Sequence, residues 1–502
     1  MNLPEYDRLD ATALAALVRR REVSPAELLE AALQRADARG PALNAIVHRF
    51  DAAARAAAAG LLPGGPLRGV PFLVKDLSAS VAGEPLTWGS RLLARHVAAE
   101  DSESVRRLRA AGLVLFGKTS TSELGLLPVT EPALFGPCRN PWDRSRTPGG
   151  SSGGSGAAVA ARIVPAAHGS DGGGSLRVPA SACGAFALKP TRGRVSPAPE
   201  HEAWSGFSSE GVITRSVRDA AALLDALAGA APGDPYAAPP QARPFAEEVG
   251  APPGRLRVAF TTRALLGGDI HPECRKAVEA AARLLEGLGH DVMEDAPRFD
   301  ATALLRAITV VICSNVSAEV AEMSRLAGRR PSPSRLEPAT LGAWVVGRVL
   351  SGADLVAALR EVHRARRALA AFHERYHLLV TPTLPEPPLP LGALAPSGAE
   401  RAAVRALAGP LAPLARRAVA ERLVARMAPS PLRVVTNTIP MNASGQPAAS
   451  LPLHFTAEGL PVGVQIAARF GDEATLFRVA AQVEAAHPWA EVCPPLGVTD
   501  GA

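Results

Sequence analysis

Five serines stand in two glycine-rich runs between Thr147 and Arg177: Ser151, Ser152 and Ser155 in the first, Ser170 and Ser175 in the second. A loop built only for flexibility would not need the apolar segment Ala157 to Val164 between them, which reads as a helix. Glycines let successive amides converge at dihedrals other residues avoid, and converging N–H groups form an anion-binding nest. Gly172, Gly173 and Gly174 directly precede Ser175. A hydroxyl nucleophile there would follow immediately on donors suited to a negatively charged tetrahedral intermediate. A free hydroxyl is a weak nucleophile, so such a centre needs a base from elsewhere.

The basic side of the chain is almost all arginine, with four lysines: Lys75, Lys118, Lys189 and Lys276. Lys75 follows the apolar run GVPFLV. Burial lowers a lysine pKa, and the neutral amine that results can accept a proton. Serine–lysine pairs are an established form of nucleophilic catalysis. The same position equally suits a structural lysine paired to Asp76 or another buried acid. Gly149-Gly-Ser151-Ser-Gly153 also satisfies G-x-S-x-G, the nucleophile elbow, which would need a downstream acid and histidine. None of the histidines stands in a distinctive context. No G-K-[ST] follows the glycines, which argues against a phosphate loop, and Gly117-Lys118-Thr119 ends a strand instead.

These groups need a scaffold, and the flanking segments supply an α/β one. Residues 9–60 read as helical, with Ser24, Pro25 and Glu27 forming a capping box ahead of LLEAALQRA. Leu67–Leu77 and LVLFGKT read as strands separated by a helix at Ser102–Ala111. CGAFALKPTRGRVS, Leu256–Phe260, LLVTPT and LPVGVQIAA continue the strands, and Ser216–Leu227, Glu273–Leu288 and Asp472–Ala485 the helices. Residues 1–65 form an N-terminal helical segment. Residues 300–430 form a helix-rich variable region, interrupted by the proline-dense Thr381–Pro396, that shapes the substrate pocket. One large α/β domain over 1–502, its sheet covered on both faces, explains this pattern better than independent modules.

Composition sets the limits. Of 502 residues 47% are hydrophobic and 20% charged, enough for a large core and against global disorder. The net charge of +6 is dispersed and gives no nucleic-acid footprint. Five scattered cysteines without a CxxC pair argue against a disulfide framework and a thiolate zinc site, and fit a reducing compartment. The N-terminus carries acidic residues where a signal peptide wants positive charge, and no run of eighteen uncharged apolar residues occurs. The expectation is a cytoplasmic protein, off the membrane, with no metal and no cofactor.

GVPFLVKDL, GKT, PGGSSGGSGAAVAA, DGGGSLRVPA, CGAFALKPTRGRVS and SGQPAASLP resemble, in order and spacing, the amidase signature family. The resemblance spans essentially the whole chain. It implies a mixed central β-sheet wrapped by helices and cleavage of carboxylic amides by a Ser-cisSer-Lys triad through an acyl-enzyme. Carried over, the nucleophile is Ser175, the bridging serine Ser151 after a cis Gly150-Ser151 bond, and the base Lys75. The amides of Gly172, Gly173, Gly174 and Ser175 line the oxyanion hole, with Gly150, Ser152, Asp171 and Arg177 in support. TEPALFGPCRNPWDRSR, ICSNVSAEVAE and the C-terminal segment resemble most a branch of the family that opens cyclic oligoamides. There Cys313 matches a cysteine beside the substrate, whereas Leu126 replaces an asparagine that contacts it. A leucine cannot donate to a substrate carbonyl, which weighs against that cyclic substrate but not against amide hydrolysis.

The implied partner is therefore a small-molecule aliphatic, aryl or cyclic amide, handled by a monomer or a homodimer. Phe135, Trp204, Phe207, Cys313, Trp344 and Val345 are candidate walls of a mostly apolar pocket. Two other readings stand beside this one. The glutaminase subunit of a tRNA-dependent amidotransferase would need partner subunits and a polar clamp for glutamine. A catalytically silent binding protein of the same fold would be expected to lack Lys75, Ser151 or Ser175, and all three are present.

Overall fold

The computed structural model describes residues 5–408 and 429–495. Its strands are β1 (Ile46–Arg49), β2 (Pro71–Lys75), β3 (Val114–Thr119), β4 (Ala166–Asp171), β5 (Phe186–Lys189), β6 (Ser209–Thr214), β7 (Arg257–Phe260), β8 (Asp291–Glu294), β9 (Leu378–Pro382), β10 (Ala448–Phe455) and β11 (Pro461–Ala468). Its helices begin with α1 (Ala11–Arg19), α2 (Pro25–Leu43), α3 (Asp51–Ala59), α4 (Glu103–Ala110), α5 (Gly153–Ala160), α6 (Arg177–Cys183), α7 (Val217–Leu227) and α8 (Pro272–Gly287). They continue with α9 (Ala301–Ala327), α10 (Pro338–Gly347), α11 (Gly352–Arg375), α12 (Gly398–Ala408), α13 (Pro429–Val434), α14 (Ile439–Ser444) and α15 (Glu473–Ala486).

Among the described residues the strands make one eleven-stranded sheet in the order β1-β3-β2-β4-β6-β5-β10-β11-β9-β7-β8. It is mixed. β2 runs parallel to β3 and β4, and β7 parallel to β8 and β9, while β4, β6, β5, β10 and β11 pair antiparallel through the centre. The single large α/β domain with helices around a mixed sheet is the architecture the sequence leads one to expect. The central strands are buried throughout, so they read as continuous apolar or small-residue runs rather than alternating ones.

Two apolar cores organise the helices. One holds the sheet, with Phe72, Phe116, Phe186, Ile213, Val464 and Phe477 in a single cluster. The other forms around α9, whose Ile308, Val311, Val316, Val320 and Met323 pack with Leu341, Val346 and Val362 of α10 and α11. By length and composition α9 is apolar enough to cross a membrane; here α10 and α11 cover one side of it. The helix-rich stretch 300–430 shares this core with Leu86, Trp88, Val178, Phe207 and Ile439 from elsewhere in the chain; residues 409–428 of it lie outside the described residues, as do residues 1–4 of the N-terminal segment.

At the N-terminus the capping box forms as read: Ser24 Oγ accepts from Glu27 N, and the Glu27 carboxylate accepts from Ser24 N at 2.9 Å. The all-helical reading of residues 9–60 needs one correction, because the short strand β1 intervenes and pairs with β3. The helix placed at Ala157–Val164 starts earlier, at Gly153, inside the glycine run. Gly153 and Gly154 are required there by close packing, since a Cβ on either would collide with Thr130 or with the Ser120 backbone.

Candidate active site

Lys75 is the last residue of β2, and Ser170 and Asp171 end its parallel neighbour β4, the two strands being joined in register at Leu73 and Ala167. Parallel strands bring their carboxyl ends together, and open α/β sheets bind ligands at those ends. The lysine is fully buried. Its Nζ donates to Ser151 Oγ at 2.8 Å and to Ser170 Oγ at 3.0 Å. Burial pulls the Lys75 amine down to about 7, against the Asp171 and Glu210 carboxylates, which raise it. Asp76 is not its partner: that carboxylate accepts from Thr87 N at 3.0 Å and from the Thr87 hydroxyl. Neither form of the structural alternative, a pair with Asp76 or with another buried acid, is made among the described residues, the Lys75 amine bonding two hydroxyls instead.

The two glycine–serine runs are laced together around this lysine. The Gly150–Ser151 peptide is cis. Ser152 N donates to Ser175 O at 3.2 Å, and Ser152 Oγ donates to Ser170 O at 3.2 Å, so this side chain is a loop tie. Ser155 Oγ donates to His168 O at 2.7 Å, which fixes α5 on β4. Thr130 Oγ1 donates to Gly149 O at 2.9 Å and accepts from Gly153 N, bracing the first run from outside.

The second run is held by a buried charge network. Asp171 and Arg177 are both fully buried and joined by two bonds of 2.9 Å, Nε to Oδ2 and Nη2 to Oδ1. Arg177 also donates to Thr438 O, Gln465 Oε1 and Asn442 Oδ1 at 2.9, 2.6 and 2.6 Å. Asn442 Nδ2 returns bonds to Asp171 O and Oδ1 at 2.7 and 2.9 Å. Burial raises the Asp171 carboxyl, but Arg177 outweighs it and holds the group at about 2. Gly174 has φ +134, where any Cβ would also strike Thr438.

One sequence expectation is corrected here. The Gly174 N–H does not face the cavity as an oxyanion donor, because it donates to Asp171 Oδ1 at 2.7 Å. Among the described residues the amides of Gly172, Gly173 and Ser175 have no such carboxylate partner, and these three residues line the space in front of the serines.

That space is two cavities meeting at Gly125, Ser175 and Trp204. One, of about 140 Å³, is lined by Ser151, Ser170, Gly172 and Ser175, by Trp88 and Glu210, and further out by Arg192, Glu200 and Tyr236. The other, of about 100 Å³, is apolar and lined by Leu126, Ile312, Cys313, Val435 and Ile439. Trp88, Leu124 and Trp204 on these walls have φ of 52, 54 and 54°, left-handed values costly for such side chains and typical of functional sites. Both Cys313 and Leu126 therefore reach the same cavity as Ser175. Burial pushes the Cys313 thiol up to about 12, so it lines the wall as a neutral group.

Of the other walls read from sequence, only Trp204 lines these cavities. Phe135 lies away from them and offers its carbonyl to Asn44. Phe207 is buried behind, its carbonyl accepting from Asn442, and the Trp344 ring carries the Arg348 guanidinium at 5.0 Å. Trp344 and Val345 are hydrophobic enough for such a wall, yet their helix α10 turns Ala339 and Ala343 toward the cavity instead. Ser170 as a lysine partner and Asn442 as the clamp on Asp171 were not singled out. Ser170 stood in the right loop, and Asn442 in the quoted NASGQP segment, but contacts between distant segments decide both roles.

Because the Asp171–Arg177 pair is fully buried, removing one partner leaves an uncompensated charge. Arg177→Met is expected to destabilise the fold by about 3–5 kcal/mol, read as a shift in the urea unfolding midpoint. The exposed Arg20–Glu22 pair provides the control: Arg20→Met leaves that midpoint unchanged within error.

A helix-wrapped mixed sheet with a serine- and glycine-lined cavity at its strand ends is the architecture of amide hydrolases of the amidase signature class. The sequence profile of the Amidase family matches residues 27–415 and 403–477, and the chain belongs to that family. It is 38% identical over 502 residues to the 6-aminohexanoate-cyclic-dimer hydrolase of Paenarthrobacter ureafaciens, covering 97% of this chain and 96% of that protein. The solved structure of a 6-aminohexanoate cyclic dimer hydrolase complexed with substrate superposes with TM-score 0.88 at 37% identity, over 98% of this chain and 99% of that one. A bacterial aryl acylamidase of the same family superposes with TM-score 0.84 at 26% identity, over 96% and 97% of the two chains. The protein is an amidase, as its sequence motifs led one to expect.

Proposed function

We propose that this amidase works through a Ser-cisSer-Lys triad, with Ser175 as nucleophile, Ser151 as proton relay and Lys75 as base. The observation that carries this reading is the 2.8 Å bond from Lys75 Nζ to Ser151 Oγ, made by a lysine shut off from solvent. A lysine near 7 is in part neutral at physiological pH and can take a proton from Ser151. Ser151 in turn takes one from Ser175, whose oxygen attacks the amide carbon. The tetrahedral oxyanion is received by the amides of Gly172, Gly173 and Ser175. The proton then returns through Ser151 to the leaving nitrogen, which departs as a neutral amine. Water hydrolyses the acyl-enzyme by the same relay and restores the lysine.

The apolar cavity takes an aliphatic or aryl part of the substrate, with the helix-rich stretch 300–430 contributing Thr309, Ile312, Cys313, Ala339 and Ala343 to its walls. Leu126 on that wall offers no hydrogen bond to a second amide, so short aliphatic amides and anilides are preferred to the 6-aminohexanoate cyclic dimer. The test combines a hydrolysis panel with covalent labelling. Hexanamide, an acyl anilide and the cyclic dimer are compared with glutamine, and the protein is treated with a fluorophosphonate. The expected result is release of ammonia or arylamine from the first two, with the phosphonyl group on the tryptic peptide carrying Ser175. Turnover of glutamine alone, or a label on another serine, would overturn the reading.

A further inference from the structure

A third cavity shares no lining residue with the two around Ser175. It is a surface trough of about 630 Å³ whose lining includes Arg366, His373, Glu374, Gln446, Arg469 and Phe470. Two acceptors belonging to this lining lack donors. Gln446 Nε2 donates to Ala468 O at 3.0 Å, while its Oε1 is buried without a partner. His373 Nδ1 stands 3.1 Å from Tyr376 O, an arrangement that places the ring proton on Nδ1 and leaves Nε2 as an acceptor, also buried and unpartnered. The two residues are 3% and 2% exposed. Burial draws the His373 imidazole down to about 4, so it stays neutral and keeps that lone pair. Buried acceptors are almost always satisfied, and two unsatisfied ones on one trough call for a donor.

The same trough offers positive charge. Arg366 lies over the Phe470 ring at 5.3 Å, and Arg469 Nε donates to His373 O at 2.8 Å. Neither guanidinium pairs with a carboxylate among the described residues. Glu374 is the trough's carboxylate, leaving a net positive lining.

We propose that this trough is a second binding site for a small amino carboxylate, its carboxylate held by Arg366 and Arg469 and its ammonium donating to Gln446 Oε1 and His373 Nε2. Both acceptors are shielded from solvent, so the exposed Phe470 ring and the Arg366 stacked on it form the part of the wall that gives way. The site is wired to the catalytic loop. Ser444 and Gln446 of the trough lie two and four residues beyond Asn442, which clamps Asp171. Arg192 packs beside Gly445, donates to Asn442 O at 2.8 Å and lines the serine cavity. The choice of ligand rests in part on the amide-hydrolase reading above: cleaving an aliphatic amide or anilide whose acyl chain carries an amine leaves amine and carboxylate on one product.

Calorimetric titration of the full chain, with Ser175 blocked by a fluorophosphonate, tests this with 6-aminohexanoate, hexanoate and hexylamine as probes. The expected result is saturable binding of 6-aminohexanoate, at least about tenfold tighter than either single-ended probe, a gap of about 1.4 kcal/mol. Arg366→Gln and Gln446→Met should each weaken it by a similar factor. Binding as tight in both variants as in the unsubstituted protein, or no binding of 6-aminohexanoate to the blocked protein, would overturn the proposal. If Ser175 does not take the label, the catalytic reading fails on its own, and the same titration on unblocked Arg366→Gln still decides the trough.

Discussion

Ser175→Ala lowers kcat/KM on every amide the protein accepts by about 10⁴-fold or more, while the folded state is retained. The side chain is small, and on the proposed mechanism its removal takes away the attacking oxygen without disturbing the Asp171–Arg177–Asn442 clamp that shapes the loop. A residue of catalysis survives, because the amides of Gly172 and Gly173 still polarise a bound carbonyl. Ser151→Ala should lose nearly as much, and the double variant little more than either single one, since groups that act as one relay are not additive. Ser155→Ala behaves differently. Its hydroxyl bonds Thr119 and His168 O, so the loss appears in the unfolding midpoint before it appears in kcat. Steady-state kinetics on hexanamide, with circular dichroism as the check on folding, separates these outcomes. Ser175→Ala retaining activity within tenfold of wild type would sink the nucleophile assignment.

The strands and helices around this site were legible wherever local chemistry decides the local structure. Ser24–Pro25–Glu27 announces a helix start by its own hydrogen bonds, and PFLVK and VLFGKT announce buried strands by their apolar runs. β4, with the sequence AAHGSD, gave no such signal. It is a strand because its polar side chains find partners elsewhere: His168 on Glu210, Ser170 on Lys75, Asp171 on Arg177. β1, β6 and β8 are short or half-polar and depend in the same way on their neighbours in the sheet. The residues proposed to carry the chemistry are those the family resemblance implies, yet the occupation of the Gly174 amide by Asp171 is a matter of where one carboxylate turns. The pocket walls were hardest to read. Trp204 and Phe207 are three residues apart in one loop, and one lines the cavity while the other packs behind it.

Lys75→Ala is expected to lower kcat by about 10³-fold or more near neutral pH, and its pH dependence identifies the role. If Lys75 is the base, the neutral amine is the working form in the wild type, and a folded pKa near 7 is expected to make kcat/KM fall about tenfold per unit below that pH. The variant has no such group, so that limb disappears, and hydroxide narrows its deficit as pH rises. Lys75→Arg provides the decisive comparison. A guanidinium keeps a positive charge and hydrogen-bond donors but does not deprotonate in this range. A structural cation would be rescued by arginine; a base would not. Acid unfolding is separated from titration by sign. Lys75 binds its proton more weakly when folded than at its ordinary 10.5, so its contribution to stability rises with pH between about 7 and 10.5. Far-ultraviolet circular dichroism unchanged at pH 6, with activity there about tenfold below that at pH 8 and restored on return to pH 8, assigns the loss to the lysine. A flat wild-type profile across this range, or an active Lys75→Arg, would remove Lys75 from the reaction and leave it as a support for Ser151.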